Sequence, residues 1–330
     1  MAKSTPREGL DMRPGAESLE RPPPPPVLHE NIPFLSPTAL SYSALYIGMF
    51  TIHTLMVRQS QKNGGYVYDI FAVVFLGEVI KLALSVLFYI WYSPRWWDEI
   101  MAYRSVGKLY IVPGFLYALY NVLLYVNLLF FDPGVQRVLM SFKVVLSGIM
   151  FQVVFHRKLS RKKWVGLLFL TLACVLARAV DFKFEKADMI STLMIFIACF
   201  CSVLAGIMNE FLFKSDSGAH FVVQNIYLYL FCASCNLAFA FLLRPKLLLT
   251  FRWFDGITPF VWLMVLMGGL AGFTTSFVLK YLTILHKEFA TGVETLVIAL
   301  LSALFFGTGL PWTLLLAIGC IFLGFRAYNS

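Results

Sequence analysis

Ten apolar runs follow one another along this chain, at approximately 38–58, 68–92, 109–131, 133–155, 163–180, 189–213, 220–243, 258–283, 288–306 and 309–326. A helix needs about 20 apolar residues to cross the hydrocarbon core of a bilayer, and most of these runs approach or exceed that length. The breaks between them are short. They include Asp132-Pro133-Gly134, the basic stretch His156 to Lys163, and the turn formers Gly307, Gly309 and Pro311. The expected fold is all-α and integral to the membrane, with ten transmembrane helices and almost no extramembrane domain. Composition agrees: 59% of the 330 residues are hydrophobic and 14% charged, against about 45–50% and about 25% in soluble domains. So few charges cannot coat a soluble particle of this size, which excludes a soluble enzyme and a disordered chain. The net charge of +9 would suggest nucleic acid in a soluble protein. In a membrane protein it is the basic side of the loops, and no nucleic-acid partner is expected.

Residues 1–35 are the one polar, proline-rich stretch, with the run Pro22 to Pro26, and are expected to be a disordered cytosolic tail. Residues 36–330 are expected to form the ten-helix domain. All six cysteines, Cys174, Cys199, Cys201, Cys232, Cys235 and Cys320, fall within apolar runs and read as small packing residues. No metal and no cofactor is expected. With ten spans both termini share a side. Fifteen Lys and Arg lie on that side and eight on the other, so the positive-inside rule places both termini in the cytosol.

Seven Asp, Glu, Lys or Arg residues lie inside the runs away from their ends: Glu78, Lys81, Arg137, Lys143, Glu210, Lys280 and Glu294. Each costs about 2.5–3.5 kcal/mol at bilayer depth even on a lenient scale, so function is to be sought among them. Glu78 and Lys81 are three apart and share a helix face. They form either a self-neutralising structural pair or a gate and cavity wall. Lys143 has Gln136, Met140 and Ser147 on its face and no acidic residue one turn away. Lys280 has Ser276 one turn before it and Tyr281 beside it. Two such lysines form either one site for a multiply charged anion such as a phosphate ester, or two separate ion pairs with Glu210 and Glu294. Arg137 lies nearer a span end and reads as structural. Tyr117 and Asn121, one turn apart, can meet a nucleobase or glue helices together. Paired aspartates, His-Glu-x-x-His and a nucleophile elbow are missing from the sequence, so no enzyme is expected. Five helices per half would make two inverted repeats, about 36–182 and 187–328. Setting Phe155 against Phe306 aligns Lys143 with Glu294.

The segment Glu78-Val79-Ile80-Lys81-Leu82 with Leu84-Ser85-Val86, then Pro113, Leu116-Tyr117-Ala118 and Asn121, resembles the nucleotide-sugar transporters of the CMP-sialic acid and UDP-galactose branch. So do Phe142-Lys143, the Lys158-Leu159-Ser160 loop with Trp164-Val165, Glu210, Gln224-Asn225, Thr275-Ser276 and Lys280-Tyr281. The resemblance runs from about residue 40 to 325. It implies the drug/metabolite transporter fold in the Golgi membrane, and exchange of cytosolic nucleotide sugar for lumenal nucleoside monophosphate. It further implies that Lys143 and Lys280 bind phosphate and that Tyr117, Asn121 and Asn225 recognise base and ribose. Gln136-Arg137, Gln224 and Glu294 depart from the family's usual residues and bear on base and sugar choice. Glu294 either neutralises one lysine or takes a proton during transport. Membrane lipid is the other expected partner, and a homo-oligomer stays open. The alternatives are a carrier of another organic anion on the same fold, and a non-transporting scaffold.

Overall fold

The computed structural model describes residues 36–61, 65–127, 133–177, 189–215, 217–245, 252–306 and 312–329; the tail 1–35 lies outside them. The described residues are helical with short connections. The helices are α1 (Pro37–Gln59), α2 (Ile70–Tyr92), α3 (Trp96–Ala102), α4 (Arg104–Lys108), α5 (Ile111–Asn127), α6 (Pro133–Met140) and α7 (Lys143–Phe155). They continue with α8 (Arg161–Leu176), α9 (Met189–Lys214), α10 (Phe221–Leu243), α11 (Pro259–Tyr281), α12 (Ile284–Phe306) and α13 (Trp312–Asn329).

Their starts are written in the sequence. Ser36, Asp69, Ser160 and Thr258 each accept a backbone N–H of the helix they open, and Pro37 and Pro259 occupy the first helical position, where a missing N–H costs nothing. Large apolar side chains cover the outside, with Leu304 77% and Leu315 74% exposed. A surface like this is stable only against lipid, where each helix satisfies its own backbone. Trp91, Trp97 and Trp312 sit exposed near helix ends, the place aromatic rings take at membrane interfaces.

Nine helices among the described residues are long and apolar enough to cross a membrane. The remaining run, expected at 163–180, is α8, whose 16 residues fall short of that length; the count of ten spans rests on it. Two other boundaries differ from expectation. The run 133–155 is broken at Ser141 and Phe142, where N–H groups reach back three residues instead of four, a local 3₁₀ tightening. Helix α12 begins at Ile284, four residues before the expected start at 288, and takes in Lys287.

The start of α1, the ends of α2 and α9, the start of α10 and the end of α13 meet at one face, here called the terminal face. Tyr42 stacks on Tyr281 at 5.2 Å, Tyr92 stacks on His220 at 4.7 Å, and Lys163 lies over the Tyr328 ring. The other ends meet at the opposite face, where Tyr68 reaches Met264 and Phe75 meets Trp253. Packing partners repeat when five spans are added. Helix α5 packs on α9 as α11 packs on α1, α7 on α9 as α12 on α1, and α10 on α5 as α2 on α11.

Helices α8 and α13 cross with glycine against glycine. A Cβ on Gly166 would lie 2.8 Å from the Gly324 carbonyl oxygen, and one on Gly324 2.9 Å from that of Gly166. The obstacle is backbone, which no rotamer change relieves. Gly166→Leu should push the helices apart and cost about 1–3 kcal/mol or more. A melting curve in detergent with an unchanged midpoint would contradict this contact.

Candidate functional site

The buried polar groups fall into three linked clusters. The first lines a cavity of about 370 Å³ between α1, α2, α5 and α11. It runs inward from Tyr66 and Tyr68 to Glu78, Lys81 and Asn121. Glu78 Oε1 lies 2.7 Å from Lys81 Nζ, and the buried Glu78 Oε2 has no hydrogen-bond partner. Lys81 Nζ also stands 5.0 Å from the centre of the Tyr229 ring. The Tyr229 hydroxyl lies 2.9 Å from that of Ser276. Gly272 makes room for the Lys81 stem, since a Cβ there would fall 2.7 Å from its Cδ. His53 of α1 lines the wall across from this pair.

The second cluster lies deeper. Lys143, the first residue of α7, donates to the Tyr120 hydroxyl at 3.3 Å and lies 5.2 Å from the centre of that ring. Glu288, 4% exposed, pairs with Lys287 at 3.2 Å and acts electrostatically on Lys143 and Cys199. Tyr46 of α1 joins the group: its hydroxyl lies 3.0 Å from Thr291 Oγ1, and it feels Glu294, Glu288 and Tyr120. Tyr117 connects the two clusters, lying beside Asn209 and within the influence of Glu78 and Tyr120. Asn225 is fully buried with both side-chain polar atoms unpaired. An unpaired buried amide is costly.

The third cluster seals the terminal face. Glu210, fully buried, binds Lys214 Nζ at 2.8 Å and accepts the Ile284 N–H at 2.7 Å. Lys214 also donates to the Leu282 carbonyl, and Lys280 donates to the Phe213 carbonyl. A carboxylate thus meets the start of α12, and ammonium groups meet the ends of α11 and α9, as the helix dipoles favour. The α11–α12 connection can therefore stay buried, with Leu282 1% exposed. Nearby, Tyr110 donates to Gln224 at 2.7 Å and Tyr227 to the Ile100 carbonyl at 2.6 Å.

At the rim Glu99 accepts from Tyr89 and, at 2.7 Å, from Ser93. These hydroxyls hold the Glu99 carboxyl below the usual carboxylate range. Burial pushes the His220 imidazole down, against the pull of Glu99. A depressed carboxyl stabilises its contacts above the ordinary Glu range and loses that contribution as pH falls through its lowered value. Glu99→Gln should loosen this rim. Labelling of the buried Cys199 by an impermeant maleimide from the terminal face would then rise several-fold; an unchanged rate would remove Glu99 from the seal.

The structure brings Glu78, Lys81, Asn121 and Ser276 together in or beside the cavity, and sets Lys143 and Tyr117 in the deeper cluster. Glu294 lies at the latter's edge. Lys280 and Glu210 belong to the terminal-face cluster, and Tyr281 stacks there on Tyr42. Gln136 donates to the Leu124 carbonyl at 3.0 Å and ties α6 to α5. The side chain of Arg137 lies outside the described residues. Sequence reasoning missed Lys287 and Glu288, placed at a loop edge, and Tyr120 and Tyr46. The spacing of Tyr117, Tyr120 and Asn121 along one face of α5 was a readable signal for Tyr120.

An open cavity at one face, a seal at the other and charged groups buried between them define a membrane transporter for a polar solute. The chain belongs to the nucleotide-sugar transporter family, whose profile matches residues 38–329; its members are transporters, not enzymes. It is 33% identical to the UDP-galactose transporter senju of Drosophila melanogaster, over 90% of this chain and 88% of that one. It is 28% identical to CMP-sialic acid transporter 1 of Oryza sativa subsp. japonica, over 87% and 92%. It is 27% identical to UDP-galactose translocator 1 of Caenorhabditis elegans, over 86% and 85%. A solved crystal structure, 14% identical, shares the fold with a TM-score of 0.67, covering 88% of this chain and 96% of that one.

Proposed function

We propose that the protein exchanges a cytosolic nucleotide sugar for a lumenal nucleoside monophosphate in the Golgi membrane. The observation that carries this reading is a pair of partly buried ammonium groups that both interact with Glu288, Lys287 through a 3.2 Å ion pair and Lys143 electrostatically. A phosphate group is the ligand that two such charges suit best. Tyr117, Asn121 and Asn225 supply the amide and aromatic groups a base and ribose need. Lys280 contributes at the seal, where it caps α9. Glu78 and Lys81 form the cavity floor.

The movement is alternating access between two five-helix halves, about 36–182 and 187–328. The paired packing of equivalent helices and the reciprocal Gly166–Gly324 contact support that division. In this conformation the cavity opens at the face away from the termini, which is the lumenal face if both termini are cytosolic. Binding of an anion compensates buried cations, so an empty carrier meets a higher barrier to reorientation than a loaded one. The test is binding and exchange by the purified protein across a panel of nucleotide sugars. Stabilisation by UDP-galactose or CMP-sialic acid is expected. Stabilisation by an unrelated organic anion would favour another cargo.

A further inference from the structure

Five of the seven residues from Arg157 to Lys163 are Lys or Arg. They form the connection from α7 to α8 at the terminal face, and it is tied down at several points. His156 takes the left-handed conformation that turns the chain out of α7. The Leu159 N–H donates to Gln152 Oε1 at 2.7 Å, and Leu159 itself packs against the core. Ser160 Oγ accepts the Lys163 N–H at 3.3 Å. Arg157, Lys158, Arg161 and Lys162 are left exposed on either side of Leu159. Lys163 lies 5.3 Å from the centre of the Tyr328 ring.

This charge has no match nearby in the sequence. No Asp or Glu occurs between Asp132 and Asp181. Among the described residues no carboxylate forms an ion pair with Arg157, Lys158 or Arg161. Glu210 acts on Tyr328, but it is already bound by Lys214 and the Ile284 N–H. Nor do the cations serve their own helix. Arg161, Lys162 and Lys163 fill the first turn of α8, where the helix dipole favours negative groups.

An apolar stripe runs inward from these charges. Val165, Leu168 and Leu172 follow Arg161 at helical spacing on one face of α8, and all three are exposed. At 1.5 Å per residue the stripe ends about 16 Å from Arg161, close to half of a hydrocarbon core about 30 Å thick. The charges therefore stand at headgroup depth, with room for an acyl chain along the stripe. Topology asks only that basic residues lie on one side of the membrane. It does not ask for a fixed basic loop above an exposed apolar stripe. We propose that Arg157, Lys158, Arg161 and Lys162 bind the phosphate headgroup of an anionic phospholipid in the leaflet on the terminal side. Val165, Leu168 and Leu172 seat its chain. Each Lys or Arg beside an anionic membrane surface strengthens such binding about fivefold.

The test places full-length protein in nanodiscs of phosphatidylcholine with and without phosphatidylserine, and counts retained lipid by native mass spectrometry. Phosphatidylserine should be retained in preference to phosphatidylcholine and should raise the melting midpoint. Changing Arg157, Lys158, Arg161 and Lys162 together to Gln should remove that preference. Lys158→Gln and Arg161→Gln alone should each weaken it about fivefold, and they cover the case in which the combined variant fails to fold. Arg252→Gln, an exposed arginine near the opposite face, should leave it unchanged. Equal retention of the two lipids by wild type would overturn the proposal, as would a preference that neither single change weakens. Inorganic phosphate that raises the midpoint as much as phosphatidylserine does would assign the charges to a soluble anion and overturn the lipid. A dimer of chains carrying no lipid would give the stripe to a second copy, with the same consequence.

Discussion

Lys143→Ala should abolish nucleotide-sugar exchange while leaving a folded protein. Lys143 stands at the helix break inside the 133–155 run, where it meets the Tyr120 hydroxyl and ring. Those contacts are weak beside a charge-assisted bond to phosphate. Removing one ammonium of a buried charge pair costs about 2–5 kcal/mol, so exchange should fall at least about 30-fold. Folding should suffer less, because truncation removes a partly buried charge and breaks only the 3.3 Å contact to the Tyr120 hydroxyl and the ring contact beside it. Monodispersity and melting midpoint close to wild type, with exchange near background, is the expected combination. Wild-type exchange rates in the variant would end the phosphate role of Lys143.

Glu210→Ala should do the reverse and damage the fold first. Its carboxylate neutralises Lys214 and accepts the Ile284 N–H, and nothing of it reaches solvent. Without it, Lys214 is a buried cation without its ion pair, and the first N–H of α12 loses its acceptor. Breaking a buried pair from one side costs about 3–5 kcal/mol. The melting midpoint in detergent should drop by many degrees, or the protein should fail to accumulate. Glu210→Gln keeps an acceptor for Ile284 and should fall between alanine and wild type. An alanine variant as stable as wild type would show that the buried α11–α12 connection does not depend on this residue.

The helices were legible because lipid demands long apolar runs, and that demand leaves its mark residue by residue. What escaped was set by tertiary contact. The break at Ser141 and Phe142 carries no glycine or proline to announce it. The start of α12 was hidden by Lys287, which read as part of a polar connection ahead of the run 288–306. Only the packed structure shows that connection buried, with Glu210 and Lys214 satisfying its backbone from α9. Glu78 and Lys81 were readable as a close pair because three residues on one helix fix their separation. The surroundings of Lys143 come from α5, α9 and α12, more than 20 residues away in every case, and no spacing rule reaches that far. The same limit applies to Lys280, whose carbonyl acceptor lies on another helix.

Counterflow tests the central claim most directly. Purified protein is reconstituted into liposomes preloaded with UMP, CMP or buffer alone, and uptake of labelled UDP-galactose and CMP-sialic acid is followed. Uptake of at least one nucleotide sugar into vesicles holding a nucleoside monophosphate, with background uptake into buffer-filled vesicles, is the predicted result. Equal uptake into empty vesicles, or none into any vesicle by protein that is folded, would contradict the exchange mechanism.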